Sequence, residues 1–200
     1  MVDAVSAPTS ESWSEAPDRF AFVLVPNFSL IAFASAIEPL RLANRHTGRE
    51  IYQWQVVSKD GEPVRASNGV QVAVDQSLTD VRLSPGGTNP AIILCTGVGV
   101  EQYEDKEVFG WLRRADRSGA AVGALCTGAH VLARIGLLDG HKCTIHWENL
   151  PGFIEDFPDI DVSADLFAVD KKRLTCSGGT AALDLMLHLI ADKQGNEIAS

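Results

Sequence analysis

The 200-residue sequence predicts an α/β domain with a mainly parallel sheet covered by helices on both faces. Strand-like and helix-like segments alternate along the chain, and the strands are apolar throughout rather than on every second residue, which is the pattern of strands buried on both faces. Hydrophobic residues make up 46% and charged residues 22% of the chain, the usage of a folded globular protein of one domain and not of a collagen-like or disordered one.

The elements follow in order. MVDAVSAPTSESWSEAPD, residues 1–18, carries Ser, Pro and Glu with little apolar periodicity and reads as a flexible tail with Trp13 as its only anchor. FAFVLV (Phe20 to Val25) is a short buried strand. After Pro26 and Asn27 it leads into SLIAFASAIEPLRLANR, which has helical periodicity; Pro39 inside it predicts a kink or break near Glu38. YQWQVVS and GVQVAVD flank the turn signals Asp60-Gly61 and Asn68-Gly69 and read as a hairpin or arm. AIILC (Ala91 to Cys95) is a second buried strand, entering the turn Thr96-Gly97-Val98-Gly99. EDKEVFGWLRRADRSG follows as an amphipathic helix stopped by Gly119.

AAVGALC (Ala120 to Cys126) is a third buried strand running into the helix TGAHVLARIGLLDG. The rest reads as KCTIHW, a helical WENLPGFIEDF, the short strands DLFAVD and RLTCS, and a last helix, GGTAALDLMLHLIADK. The domain is expected over residues 19–194, with 195–200 as the start of a linker.

Charge and cysteine usage narrow the function classes. The net charge of −9 opposes a phosphate backbone, so these 200 residues are not expected to bind nucleic acid directly. No stretch approaches the roughly 20 apolar residues of a membrane span, and the first residues are acidic rather than a basic region followed by an apolar one. Cys95, Cys126, Cys143 and Cys176 form no C-x-x-C pair, which leaves reduced thiols in a cytoplasm as the plain reading. No cofactor is expected.

Ligands in such sheets sit at the carboxyl ends of strands, which directs attention to the turns after Val25, Cys95 and Cys126. Cys126 lies among small residues in Ala124-Leu125-Cys126-Thr127-Gly128, where a strained strand-to-helix turn projects a nucleophile. The helix start behind it predicts a depressed thiol pKa; the alternative is a small buried cysteine. His146 follows 20 residues later at a strand end, on a neighbouring parallel strand that would bring it to the same rim, either as a partner for Cys126 or bonded to backbone. His130, one turn past Cys126, competes for that role but suits packing. His46, His141 and His188 have no nameable partner.

A metal held by Cys126, His130 and His146 is conceivable but lacks a carboxylate or close spacing, so no metal is expected. The Gly97-Val98 turn would offer backbone N–H groups to an oxyanion or carboxylate. Trp147, Phe153 and Phe157 suit either cation recognition or a core. Ser177-Gly178-Gly179-Thr180 is an anion-binding turn or a cap.

Three segments, VPNFSLIAFASAIEPLRLANR, ALCTGAHVLARIGLLDGHKCTIHWENL and RLTCSGGTAALDLMLHLI, resemble the glutamine-amidotransferase-like domain of the PfpI superfamily. The form they resemble stands at the N-terminus of AraC/XylS-family regulators responding to arginine, glycine betaine or carnitine. The resemblance implies a flavodoxin-like three-layer sandwich with the elbow cysteine after a central strand. In the superfamily's enzymes Cys126 would be the nucleophile and His146 its histidine. The supporting acid on the first helix is replaced by Ala32, and the histidine that follows the cysteine in peptidases by Thr127.

Catalysis is therefore not expected, and Cys126 and His146 are read as vestigial. The expected function is effector sensing by a homodimeric domain, with promoter DNA contacted only through a C-terminal helix-turn-helix domain absent from this chain. The expected effector is a small amino acid or quaternary amine, with its carboxylate on the N–H groups near Gly97 and Cys126 and its cation at Glu38 or the Trp147 face; Val98, Thr127 and His146 complete the expected ligand-binding set. The alternative is a cysteine-dependent hydrolase, deglycase or hydratase using Cys126 and His146.

Overall fold

A computed structural model describes residues 16–200; the expected tail and Trp13 lie almost entirely outside the described residues. Ala16 is buried, and Lys193 donates to its carbonyl at 2.7 Å.

Strand β1 (Arg19–Leu24) is followed by helix α1 (Leu30–Thr47) and strand β2 (Gln53–Ser58). Three two-residue strands come next, β3 (Val64–Arg65), β4 (Gln71–Val72) and β5 (Gln76–Ser77). Strand β6 (Ala91–Cys95) leads to helix α2 (Lys106–Arg117), and strand β7 (Val122–Leu125) to helix α3 (Ala129–Arg134). The chain then forms β8 (Lys142–Thr144), α4 (Leu150–Asp156), β9 (Asp161–Ser163), β10 (Phe167–Asp170), β11 (Arg173–Cys176) and α5 (Ala181–Gln194).

The main sheet has seven strands in the order β10-β11-β7-β6-β1-β2-β5. Every pairing is parallel except that of β10 with β11. The expected three-layer α/β fold is thus the one adopted, and its core has two halves. Ala21, Val23, Ile92 and Leu94 face α2 and α3, while Phe20, Phe22, Leu24 and Ile93 face α1 and α5. Strands buried on both sides have no solvent face to mark with polar residues, which is why their sequences lack alternation.

Four local expectations are corrected. Helix α1 runs unbroken through Pro39, which is buried against α5, so packing outweighs the lost backbone donor. The segments around Asp60-Gly61 and Asn68-Gly69 do not pair as one hairpin. Instead β2 pairs in parallel with β1 inside the main sheet, β3 and β4 form a small antiparallel ribbon, and β5 returns as a short edge beside β2. Strand β8 is not a neighbour of β7: it pairs with β9 in a separate two-stranded sheet, and β11 takes the place beside β7. The helix expected over WENLPGFIEDF is confined to Leu150–Asp156.

From β1 the chain moves outward to β2 and β5, then crosses back to β6 on the other side of β1 and continues to β7. Right-handed crossovers running in opposite directions place their helices on opposite faces of the sheet. The carboxyl ends of β1 and β6 therefore part around a crevice.

Candidate functional site

Cys126 follows the last residue of β7 and has φ +60°, a left-handed conformation uncommon for a residue with a side chain. Such strain persists only where the surroundings hold it. Gly178 lies against it so closely that a Cβ there would be 3.0 Å from the Cys126 Cα, Cβ and Sγ. On the other side, the backbone N–H of His146 donates to the Cys126 carbonyl at 3.1 Å.

Three strands end together here, since Cys95 pairs with Leu125, and Thr175, next to Cys176, pairs with Ala124. Cys95 and Cys176 are buried in the same half of the core as Cys126.

The expected depressed thiol pKa is overturned. Burial pushes Cys126 up to about 11, and nearby Cys176 adds to the rise. The Thr127 N–H and the Ser29 hydroxyl act the other way without reversing it. Helix α3 behind the elbow has only six residues, too short to offset the loss of water around a thiolate. Cys176 is likewise pushed up to about 11 by burial, and Cys95 is raised well above its ordinary value.

His146 reaches the elbow through main chain. No hydrogen bond joins its imidazole to the Cys126 thiol among the described residues; its Nδ1 accepts from the Glu148 N–H at 3.3 Å. The ring stacks on Trp147 with centroids 5.7 Å apart, and Trp147 is 70% exposed. Ala32, where the enzymes' supporting acid would stand, is buried.

Glu38 is not part of the site. It lies nine residues beyond Ser29, about 13 Å along α1 at roughly 1.5 Å per residue, and is exposed and paired with Arg41 at 2.5 Å. That pair holds its carboxyl below the ordinary range. Nor do Cys126, His130 and His146 gather: the His130 ring points to Asp156 at 3.3 Å and Arg134 at 3.2 Å and packs edge-on to Phe153 and Phe157. Among the described residues no three His, Cys, Asp or Glu side chains are arranged to hold a metal. Phe153 belongs to the core. His141 pairs with Asp170 at 3.2 Å and His188 approaches Asp192 at 3.6 Å, partners the sequence had not suggested.

Gly97, Val98 and Thr127 are brought together. Thr127 Oγ1 donates to the Gly97 carbonyl at 2.7 Å and lies 2.9 Å from Thr96 Oγ1, all of it buried. Gly97 is required by close approach, because a Cβ there would overlap the Asn27 carbonyl. The Ser29 N–H donates to the Thr96 carbonyl at 3.0 Å and the Val98 N–H to the Asn27 carbonyl at 3.2 Å, stitching the two strand-end loops together.

Ser29 and Cys176 are site residues that the sequence reading misses, and Gly178, read there as part of an anion-binding turn or a cap, instead packs against Cys126. Ser29 carried the helix-capping signal of a Ser before an apolar periodic run. Only the sheet order brings Cys176 and Gly178 to Cys126.

Three clefts accompany these elements. One of about 370 Å³ lies by Arg19, Trp54 and Arg82, at the amino ends of β1 and β2. The largest, about 530 Å³, lies between α1 and α5. The third, about 220 Å³, lies between the loops after β1 and β6 and includes Gly97 and Val98. Cys126 lines none of them.

Comparison with known proteins agrees with this geometry. The chain is 42% identical over 199 residues to the HTH-type transcriptional regulator GbdR of Pseudomonas aeruginosa, covering 97% of this chain and 52% of that one. It is 42% identical over 180 residues to the HTH-type transcriptional regulator CdhR of the same organism, covering 90% and 52%. It thus spans about half the length of these curated relatives. The crystal structure of an AraC family transcriptional regulator from Pseudomonas putida superposes with a TM-score of 0.80 at 28% identity, covering 92% of this chain and 96% of that one. The family model described as DJ-1/PfpI matches residues 19–192, and with that match, an elbow cysteine after a central strand and a parallel sheet between two helical layers, the chain belongs to the DJ-1/PfpI family.

Proposed function

We propose that this chain is the effector-sensing part of an AraC-type transcriptional regulator, and that it binds a small amino acid or quaternary amine at the carboxyl edge of its sheet. The observation that carries this reading is the state of the elbow. The strained turn at Cys126 is kept, yet its thiol is raised to about 11 and its imidazole neighbour makes no bond to it. Nucleophilic catalysis needs an activated nucleophile oriented by a base and a third group, and Ala32 supplies no third group. An elbow that keeps the strained turn without its activation suits binding rather than turnover.

In this reading Gly97, Val98, Cys126 and Thr127 form the floor of the site, and Trp147, stacked on His146, offers an aromatic face to a cation. Promoter DNA is met, in this reading, through a separate helix-turn-helix domain, a reading supported by the name of the HTH-type regulator GbdR, of which this chain covers 52%, and the domain described here pairs with a second copy. The net charge of −9 favours that division of labour.

A thermal-shift panel of amino acids and betaines tests the proposal. A ligand at 100 times its dissociation constant is expected to add about 2.7 kcal/mol of stability. Silence across the panel, together with Cys126-dependent hydrolase, deglycase or hydratase turnover, would establish the enzyme reading instead.

A further inference from the structure

Unlike β6 and β7, strand β2 alternates, with Gln53 and Gln55 on one face and Trp54 and Val56 on the other. Trp54 and Val56 pack with the α1 and α5 half of the core, which leaves the two glutamines on the α2 face, in register with Arg19 and Ala21 of β1. Farther along the strand, Val57 joins the core on that face with Leu78 and Val81. Gln53 instead is exposed and Gln55 half-buried. Over this amino end of β2 opens the cleft of about 370 Å³, lined by Arg19, Gln53, Gln55, Gln76, Asp80 and Arg82. Its volume is within the roughly 300–1,000 Å³ of small-molecule sites.

The walls are held in place without a ligand. Arg19 donates to the Thr88 carbonyl at 2.8 Å. Asn89 ties the loop before β6 by accepting from the Ser84 N–H at 2.7 Å and donating to the Ser118 carbonyl at 2.8 Å. Gln76 Nε2 donates to Gln55 Oε1 at 2.6 Å, so the Gln55 N–H groups and the Gln76 oxygen are turned to other partners.

Charge selects the ligand. Two guanidiniums and one carboxylate line the cleft, and two positive charges against one negative leave +1, in a chain whose net charge is −9. Among the described residues neither Arg19 nor Arg82 makes an ion pair, and Asp80 accepts from the Ser77 hydroxyl at 2.6 Å. A carboxylate carries one negative charge and matches the planar fork of a guanidinium, whereas a phosphate monoester carries about −1.5 to −2 at neutral pH and overfills the site. Amides donate and accept, as hydroxyls do, so a glutamine floor suits a hydroxylated body better than a hydrocarbon one.

The geometry points to a second ligand site at the amino edge of the sheet, where Arg19 and Arg82 take the carboxylate of a small hydroxylated acid and Gln53, Gln55 and Gln76 take its hydroxyls. This site lies at the opposite edge from the elbow and does not rest on the sensor reading above.

Calorimetric titration of the 200-residue chain tests it, with gluconate and glycerate as probes and glucose, acetate and inorganic phosphate as controls. At least one probe is expected to bind, and every control at least tenfold more weakly. Arg82→Gln, at an exposed position, should weaken the probe about tenfold or more and leave the melting temperature unchanged. Asp80→Asn, which removes the only negative charge of the lining, should tighten binding roughly threefold. Leu187→Ala, in the cleft between α1 and α5, should change nothing.

No binding of either probe would overturn the inference. Binding of acetate, glucose or phosphate as tight as that of the probes would overturn the ligand class. Unchanged affinity in Arg82→Gln with loss in Cys126→Ala would place the anion at the elbow and overturn the site. None of these results touches the sensor reading, which the panel of amino acids and betaines decides.

Discussion

The backbone N–H of His146 donates to the backbone carbonyl of Cys126 at 3.1 Å, so the two residues that would form a catalytic pair are joined through main chain while the imidazole is turned to Glu148 and Trp147. Iodoacetamide should therefore alkylate Cys126 at neutral pH on the order of a hundredfold more slowly than a free cysteine, whose ordinary value is 9.0. His146→Ala should leave that rate within about threefold on the same scale. Rapid alkylation that depends on His146 would restore the enzyme reading.

Stability should fall above pH 9. The ordinary thiol value is 9.0, and burial raises Cys126 and Cys176 to about 11 and Cys143 to about 12. The folded state keeps these protons where the unfolded chain loses them, so their contribution is complete below about pH 9 and is lost as pH rises through 11 to 12. Each thiol contributes on the order of 2 kcal/mol. Denaturant melts at pH 8, 9.5 and 10.5 check this, and a Cys126→Ala, Cys143→Ala, Cys176→Ala triple variant should flatten the decline.

Gly178→Ala should damage the elbow from outside it. Gly178 has φ +90°, and its new Cβ would press on three Cys126 atoms at 3.0 Å, so a loss of about 1–3 kcal/mol is expected. Chemical denaturation measures it; Gly179→Ala, with no atom near its Cβ, should lose less.

Thr127→Val keeps the shape of the side chain and removes the hydroxyl that holds the Gly97 carbonyl. Leaving that carbonyl and the Thr96 hydroxyl short of a buried partner costs about 1–3 kcal/mol. Ligand affinity should fall together with stability, and Thr127→Ser should recover most of both.

Asp116→Asn tests the support at the other end of β11. Arg173 is buried and donates to Asp116 at 2.6 Å, so neutralising Asp116 leaves a buried guanidinium short of a counter-charge, at about 2–4 kcal/mol given that Asp116 is partly exposed. Arg173→Leu should cost less than Asp116→Asn in equilibrium unfolding.

Much of this protein is legible in its sequence because local chemistry wrote it there. The apolar runs FAFVLV, AIILC and AAVGALC become β1, β6 and β7, and the small residues around Cys126 mark the elbow. Asp105 caps α2 through the N–H groups of Glu107 and Val108, and Gly119 ends the turn after it with φ +87°.

Tertiary structure decided what depends on residues distant along the chain. Whether Cys126 is a thiolate or a thiol turns on how much water the fold removes from it, and burial beneath Gly178 and beside Cys176, some 50 residues away, settled that against the helix start behind it. Glu38 stands away from the elbow because α1 carries it there, and the loops after β1 and β6 meet because those strands are neighbours from which the chain turns in opposite directions. Spacing along a strand or helix is a local property. Burial and opposition across a sheet are properties of the order in which strands pair.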